Sequence, residues 1–482
     1  MNMKMKILSW ICCCSLLFGG CNHWLDVEPY DQISENELTK SQEGFQKLLN
    51  GIYIELNKEE LYGSTLTVEM IEIMGGAYEI GSDAKVWKNY SDLKDYTYGT
   101  DYWRDRLDKT WDKAYALILN CNKLLANMEK KKNLFTGINY DIIRGEALAL
   151  RAMLHFDMFR LFGPVYSRDK EMVCIPYYTA ETLNPEELLP ASEVVAKVLA
   201  DLKEARLLLK EDPVITGGTM MDEASDGGTN FLRYRALRLN YYAVTGLLAR
   251  VALYAGERER AYSYSTEVIK AANDGIFPFV DRKLVIGSPD DPDRIFSSEI
   301  LFALSHTSRG QLFLNYFDPS RTTFVFKMEK DLIDKRIFGG TEYGGNQDDY
   351  RHINWVASNS ASFFYKYANM QESGKIQNTM IPMLRLGEMY LIAAESQSAD
   401  LNAGIGWVNT LRKNRGVRNL SVLTPELLQY EYIRELYGEG QLFFMYKRMY
   451  APVIWSDDEK KNVQPGNAVF VLPLPDTEKD NR

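Results

Sequence analysis

Two stretches of the sequence combine aromatic rings with polar side chains, as a ligand with apolar faces and hydroxyl groups requires. The first runs from Gly81 to Tyr90 and contains Asp83, Trp87 and Asn89. Trp and Tyr suit a surface that is partly wet and partly apolar. The stretch predicts a ligand loop with Trp87 as a platform, Tyr90 extending it, and Asp83 and Asn89 as hydrogen-bonding groups. The alternative is that both rings pack the loop against the protein body.

The second stretch contains Tyr343, Tyr350, Arg351 and Trp355, and two Gly-Gly pairs precede its central residues. Glycine-rich flanks favour an exposed loop, and loops on a rigid scaffold often carry binding residues. We therefore predict a second group of ligand-binding side chains here. Ordinary packing is again the alternative for each of the four.

Charged residues crowd two helical segments and resemble an active site at first sight. One group is Arg144, Glu146, Arg151 and His155, and the other is Arg385, Glu388 and Glu395. Because a buried charge needs a partner, Arg–Glu pairs between packed helices are the simpler explanation. The prediction is that both groups are structural.

The sequence contains none of the common catalytic signatures, such as HExxH, GxSxG, the P-loop or GxGxxG. Its four histidines are scattered, and with 66 acidic residues some carboxylate pair always has glycosidase spacing. We therefore predict no catalytic residue, no metal site and no cofactor, and hence a protein that is not an enzyme.

The chain has 56 basic and 66 acidic residues, a net charge of −10. This balance argues against a nucleic-acid-binding surface and against docking on anionic lipid through a basic patch. Aromatic residues make up 12% of the sequence, and 30 of them are Tyr. The two short stretches account for only a few of these aromatic residues, so much of the aromatic content must pack between helices.

The N-terminus has the features of an export signal. Lys4 and Lys6 precede a short apolar run that ends at Phe18, and two glycines then precede Cys21. The run is too short to span a bilayer as a mature helix. The ending resembles a bacterial lipobox, which predicts a lipoprotein signal peptide over 1–20 and acylation of Cys21. The alternative is an ordinary secretory signal.

Removal of that signal changes the cysteine count and the charge. Only Cys121 and Cys174 remain besides the acylated Cys21, so no disulfide framework is expected. Loss of two lysines leaves 54 basic against 66 acidic residues, a balance of −12. No later segment reaches 18 uninterrupted apolar residues, so the lipid is the predicted membrane anchor.

Hydrophobic periodicity predicts a mainly helical chain. Helices are expected over 34–56, 104–130, 141–162, 191–209, 232–273 (as a hairpin), 380–396, 402–414 and 425–450. Turns and loops are expected over 62–101 and 212–229, loops with small strands such as Thr322 to Phe326 over 277–377, and an extended piece over 469–475. Ala249, Gly256 and Ala261 have the spacing of the small positions of a tetratricopeptide repeat, where two helices cross closely.

Five segments occur in an order that resembles the SusD/RagB family of outer-membrane lipoproteins. They span nearly the whole chain and are Cys21 to Pro29 with Leu49 to Tyr53, Arg144 to Ala152 with Leu161 to Pro164, Leu384 to Glu395, Ile433 to Gly440, and Leu472 to Pro475. No single segment is specific, but the ordered set is strong. Ser82-Asp83 also looks like a family motif that precedes a ligand loop.

The resemblance implies a SusD-like, mainly α fold with four tetratricopeptide-like helix pairs and a loop-rich ligand side. We expect one domain over 21–482, with a scaffold at about 34–275 and 380–450 and an insertion at about 276–379. The implied function is capture of a glycan at the outer membrane, facing the cell exterior, and its delivery to a SusC-like TonB-dependent transporter. A peptide-capturing, RagB-like member and an exported tetratricopeptide-like adaptor are the alternatives.

Overall fold

The computed structural model describes residues 35–480, except for 82, 183, 226–228, 288–290, 322–323, 373 and 457. The predicted signal peptide and the predicted acylation site Cys21 lie outside the described residues. The helices are α1 Glu35–Leu38, α2 Gln42–Glu55, α3 Met70–Met74, α4 Ala84–Lys94, α5 Asp101–Lys130, α6 Asn139–Phe162, α7 Ala191–Leu208, α8 Val214–Gly217, α9 Tyr241–Tyr254, α10 Arg258–Asn273, α11 Arg282–Val285, α12 Arg309–Tyr316, α13 Leu386–Ser396, α14 Ile405–Lys413, α15 Pro425–Leu436, α16 Leu442–Met449, α17 Asn467–Phe470 and α18 Asp476–Asp480.

Local sequence signals explain where several helices begin and end. The Ser41 hydroxyl accepts the Gly44 N–H at 3.1 Å, which caps α2. Thr424 caps α15 in the same way, and Pro425 occupies the first helical position, where its missing N–H costs nothing. Helix α6 ends at Phe162, and its C-cap Gly163 is followed by Pro164.

The long helices pack in four pairs that follow one another along the chain: α2 with α5, α6 with α7, α9 with α10, and α13 with α14. Successive pairs contact each other through α5 and α6, α7 and α9, and α10 and α13. This arrangement is the helical scaffold that the sequence predicts, and it confirms the mainly α fold. A continuous hydrophobic core runs through these pairs and into the strands.

The small residues of the α9–α10 hairpin serve two different purposes. Ala249 and Ala261 are completely buried where the helices meet, as the repeat spacing predicts. Gly256 is small for another reason: it lies in the turn with φ of +76°, and no atom lies within 4 Å of where its Cβ would be. Its left-handed conformation, rather than a close crossing, therefore requires glycine.

Short antiparallel strands interrupt the helical chain. They are β1 Val173–Ile175, β2 Leu189–Pro190, β3 Ile300–Ser305, β4 Lys327–Glu329, β5 Trp355–Ser358, β6 Ala361–Phe364 and β7 Met380–Arg385. Strand β1 pairs with β2 and β3 with β7, while β6 lies between β4 and β5. In the β3–β7 pair, Ala303 is opposite Pro382 and Ser305 is opposite Met380.

The structure corrects several predictions of secondary structure. Residues 380–385 form β7, not the start of a helix: the run is buried on both faces, contains Pro382, and pairs with β3. Residues 324–326 are not a strand, since β4 begins at Lys327. The region 62–101 contains α3 and α4 besides turns, and Asn467–Phe470 forms a helical turn before the non-helical residues 471–475.

The charged residues of α6, β7 and α13 are structural, as predicted. Arg235 donates to Glu146 at 2.8 Å and Arg151 to Asp201 at 2.7 Å. Glu388 pairs with Arg250 at 2.7 Å, and Glu395 with Arg448 at 2.9 Å. Arg144 pairs with Glu204 at 3.0 Å, and Arg385 contacts Glu435 at 2.8 Å. Burial lowers the pKa of His155 to about 3, so its neutral ring accepts the Tyr178 N–H at 3.0 Å.

Candidate functional site: an aromatic platform on helix α4

Trp87, Asn89 and Tyr90 lie on helix α4, whereas the sequence predicts that they lie on a loop. The Asp83 carbonyl accepts the Trp87 N–H at 2.8 Å, so helical hydrogen bonding starts at Asp83, two residues after Gly81. Glycines next to the segment gave the appearance of a loop. The helix places Trp87 and Tyr90, three residues apart, on one face.

Tyr90, Tyr316 and Phe324 form a cluster of half-buried rings that we call the aromatic platform. Tyr90 stacks on Phe324, with ring centroids 5.2 Å apart and an interplanar angle of 30°. Tyr316, at the end of α12, lies 6.4 Å from Phe324 in an edge contact. All three keep part of their surface in solvent. Helices α4 and α12 and the segment before β4 thus bring their rings to one place.

Buried rings support the platform from inside. Trp87 lies 4.8 Å from Phe324 and is only 8% exposed, so it is a base of the platform and not its surface. Phe326 is fully buried and stacks on Tyr316 at 5.6 Å with an angle of 6°. Gly81 lets the Trp87 indole approach, because a Cβ at residue 81 would lie 2.5 Å from Trp87 Nε1.

A buried acid–base pair fixes the orientation of Tyr90. The Tyr90 hydroxyl donates to Glu69 Oε1 at 2.9 Å, while Arg106 donates to Glu69 Oε2 and to Thr65 Oγ1, the latter at 2.8 Å. Burial raises the pKa of Glu69, although Arg106 and Tyr90 oppose that shift. Burial, and then the Glu69 charge, hold the pKa of Tyr90 well above its usual range. Its hydroxyl is therefore a neutral donor.

Asp83 lies just before α4, and Asn89 lies next to Tyr90 on that helix. Asp83 is exposed, and the Asn89 side chain is half-buried. The Asn89 carbonyl accepts the Trp103 indole N–H at 2.6 Å, which ties α4 to the start of α5. Tyr102, next to Trp103, is 37% exposed and extends the aromatic surface. Polar groups and rings therefore occur side by side, as a hydroxyl-bearing ligand requires.

Two residues of the second stretch, Tyr350 and Trp355, line an open cleft of about 710 Å³. Tyr350 packs against Gly416, where a Cβ would approach its ring to 2.3 Å. Trp355 is 6% exposed and lies 4.9 Å from Phe364 and 4.7 Å from Tyr437. Packing therefore uses most of its surface, and Tyr350 is the more accessible ring of the two.

The other two residues point elsewhere. Arg351 is buried and donates to Asp349, Glu431 and Glu435 through all three of its side-chain nitrogens. Tyr343 donates to Glu459 at 2.7 Å, and its ring packs on Tyr430 at 4.7 Å. The structure thus does not bring the four residues of this stretch together in one site.

A chain of ring contacts nevertheless joins the cleft to the platform. Trp355 contacts Phe364, which lies 5.5 Å from Phe317, and Phe317 lies 6.1 Å from Phe326 beneath the platform. Sequence reasoning missed Tyr316 and Phe324 as site residues. Phe324 and Phe326 alternate within the run predicted as a strand, and this alternation is the one sequence feature that points to Phe324.

The described residues contain no group of three or more His, Cys, Asp or Glu side chains arranged to hold a metal ion. Within the same part of the chain, no helix has both the length and the apolar character that crossing a membrane demands. Both described cysteines, Cys121 and Cys174, are buried and free. The residues that converge on the platform are rings and hydrogen-bonding groups.

The fold and the platform define a tetratricopeptide-like helical-repeat protein with an aromatic surface on its irregular side. Two family models match the chain: one described as "Starch-binding associating with outer membrane" over residues 23–217, and one described as "SusD family" over residues 318–469. The chain belongs to the SusD/RagB family. Comparison with curated protein sequences gives no match.

Solved structures of similar fold cover nearly the whole chain. A SusD-like carbohydrate binding protein from Bacteroides vulgatus is 21% identical with a TM-score of 0.69, over 92% of this chain and 96% of that one. A SusD superfamily protein from Bacteroides thetaiotaomicron is 20% identical with a TM-score of 0.68, over 91% and 98%. Another from Bacteroides fragilis is 18% identical with a TM-score of 0.66, over 92% and 98%. At these identities the likeness shows the fold.

Proposed function

We propose that the protein captures a glycan at the aromatic platform. The observation that carries this proposal is the convergence of Tyr90, Tyr316 and Phe324, each half-buried, from three separate segments. The C–H faces of sugars pack on such rings, and Asp83, just before α4, and Asn89, next to Tyr90, can bond hydroxyl groups. The matched family description names starch binding, and one structural neighbour is titled a carbohydrate binding protein.

The rigidity of the platform supports binding without induced folding. Its rings rest on Trp87 and Phe326, and the Glu69 carboxylate holds the Tyr90 hydroxyl. Preorganised rings lose little conformational freedom when a ligand binds, which favours affinity. A net charge of −12 after signal removal favours an uncharged ligand over a polyanion at this site.

We also propose that the protein delivers the glycan to a SusC-like TonB-dependent transporter, from an outer-membrane position held by a lipid on Cys21. Family membership supports this partner and location. The protein would act as one domain over 21–482 and as a binding protein without catalysis, in keeping with the binding role that the family description names.

A binding screen and a pull-down test this function. The mature chain is run through native gels that contain neutral polysaccharides, and titrated with peptides by calorimetry. Retardation by at least one polysaccharide with no binding of uncharged peptides is expected, whereas binding of uncharged peptides alone would favour the RagB-like alternative. Co-purification of a large β-barrel protein from detergent-solubilised membranes is expected. Its absence, together with no glycan binding, would favour a generic adaptor.

A further inference from the structure

A second concave surface lies away from the platform, in the helical scaffold. The loop after α6, the turn between α9 and α10, the end of α13 and helix α16 enclose a cleft of about 530 Å³. We call it the basic cleft, because its wall contains Arg168, Lys170, Arg258 and Arg448 but only one acid, Glu395. It shares no residue with the platform.

Ion pairing occupies only one of the four cations, and the Arg168 guanidinium packs over the Tyr450 ring with 4.3 Å to its centroid. Arg448 is neutralised by Glu395, which accepts from both of its terminal nitrogens. Arg168, Lys170 and Arg258 form no ion pair with any of the described residues. Arg258 donates through Nη1 to the Ser398 carbonyl at 2.6 Å, which orients its guanidinium and leaves its other N–H groups free to bind. Uncompensated positive charge is unusual on an acidic protein and attracts anions.

A helix terminus and a buried hydroxyl add to this character. Helix α10 begins at Arg258, and the side chain of its N-cap residue, Glu257, makes no capping hydrogen bond. The helix begins at the cleft, because Gly256 and Arg258 both line the cleft wall. The free N–H groups of the first turn add partial positive charge there, which the Glu259 side chain on the same turn partly offsets. Tyr254 lines both the cleft and a small inner cavity, and its fully buried hydroxyl has no hydrogen-bond partner among the described residues.

The chemistry of the wall indicates what binds. Tyr254 is only 6% exposed and Tyr166 is partly buried, so no open ring is offered to a sugar face. Three separated cations and a helix N-terminus instead suit carboxylates that are spaced along a chain. We propose that the basic cleft docks an acidic peptide segment of another protein, with its carboxylates on Arg168, Lys170 and Arg258.

Calorimetry with hexaglutamate as the probe tests the site. The mature chain is titrated at about 50 mM NaCl, and the triple variant Arg168→Gln/Lys170→Gln/Arg258→Gln is compared with it. Affinity is expected to fall by about tenfold or more, because charge-assisted hydrogen bonds are lost. The control Lys197→Gln/Lys413→Gln/Arg418→Gln makes the same change of charge at exposed positions outside the cleft and should leave affinity within about twofold.

Three outcomes would overturn the proposal: no hexaglutamate binding to the wild type, an equal loss in the control variant, or oligogalacturonate binding where hexaglutamate does not bind. The last would make the cleft a site for acidic sugars. Circular dichroism checks the fold of each variant. Should the triple variant misfold, Ser167→Asp places a negative charge on the exposed wall. Unchanged affinity in that variant would refute the site, and weaker binding would support it.

Discussion

Replacing Glu435 with Gln should destabilise the protein far more than loss of an ordinary surface carboxylate. Glu435 lies on α15 and is completely buried. Its Oε1 accepts from Arg385 at 2.8 Å and from Arg415 at 2.7 Å, and its Oε2 accepts from Arg415 at 3.1 Å and from Arg351 at 3.2 Å. One carboxylate thus joins the end of β7, the end of α14 and the second aromatic stretch.

The magnitude follows from burial of the partners. Arg385 and Arg415 are at most 1% exposed, and Arg351 is 2% exposed, so water cannot replace the lost charge. Glutamine keeps one acceptor but turns an N–H₂ group toward guanidinium donors. Removing one member of a buried ion network costs about 3–5 kcal/mol, because it leaves buried charge uncompensated. We expect a loss in that range for Glu435→Gln.

Urea unfolding at pH 7, followed by circular dichroism at 222 nm, measures the difference. Glu426→Gln is the matched control, since Glu426 is an exposed carboxylate in the first turn of the same helix. We expect the control to change the free energy of unfolding by less than about 0.5 kcal/mol. A loss below about 1 kcal/mol for Glu435→Gln would refute the view that this carboxylate holds the network together.

Three further predictions follow from burial and close packing. Burial alone would raise the pKa of Glu431, but nearby arginines lower it to about 2. The ionised carboxylate therefore stabilises the folded state above about pH 4.3, and this stabilisation is lost as the pH falls toward 2. Glu431→Gln should lose less thermal stability on acidification than the wild type, and equal losses would contradict this reasoning. Gly81→Ala should displace the Trp87 indole, altering tryptophan fluorescence and weakening glycan binding, whereas Gly99→Ala, which has open space at its Cβ, should change neither. Burial raises the pKa values of the Cys121 and Cys174 thiols to about 12 and about 11. In a mature chain with Cys21→Ser, a thiol reagent at pH 8 should therefore react slowly while the protein is folded and should modify two thiols per chain in urea. Rapid reaction without urea would refute this.

The long helices could be predicted from the sequence because their apolar residues repeat at helical spacing. Helices α5, α6 and α7 begin and end within three residues of the predicted limits. Strand β7 could not be separated from α13, because an apolar run that is buried on all sides has no period to read. The family resemblance added the four helix pairs, and the packing of the helices confirms them.

The site was harder to predict, because its rings come from distant segments. Trp87 and Tyr90 could be selected by residue type, but only their burial shows that Trp87 is a base and Tyr90 a surface ring. Tyr316 and Phe324 join them through tertiary contacts more than 200 residues away in sequence. Arg351 was predicted to bind ligand because the sequence does not show whether an arginine is exposed or buried. Whether Asp83 and Asn89 contact a ligand stays a prediction.

Isothermal titration of the glycan selected in the screen against Tyr316→Ala/Phe324→Ala tests the central claim most directly. Each aromatic contact contributes about 0.5–1.5 kcal/mol, so the loss of two rings should weaken binding from about fivefold to over a hundredfold. Tyr264→Ala removes a half-buried ring from α10, outside the platform, and should leave the affinity unchanged. An unchanged dissociation constant in the double variant, with its fold intact by circular dichroism, would contradict capture at the aromatic platform.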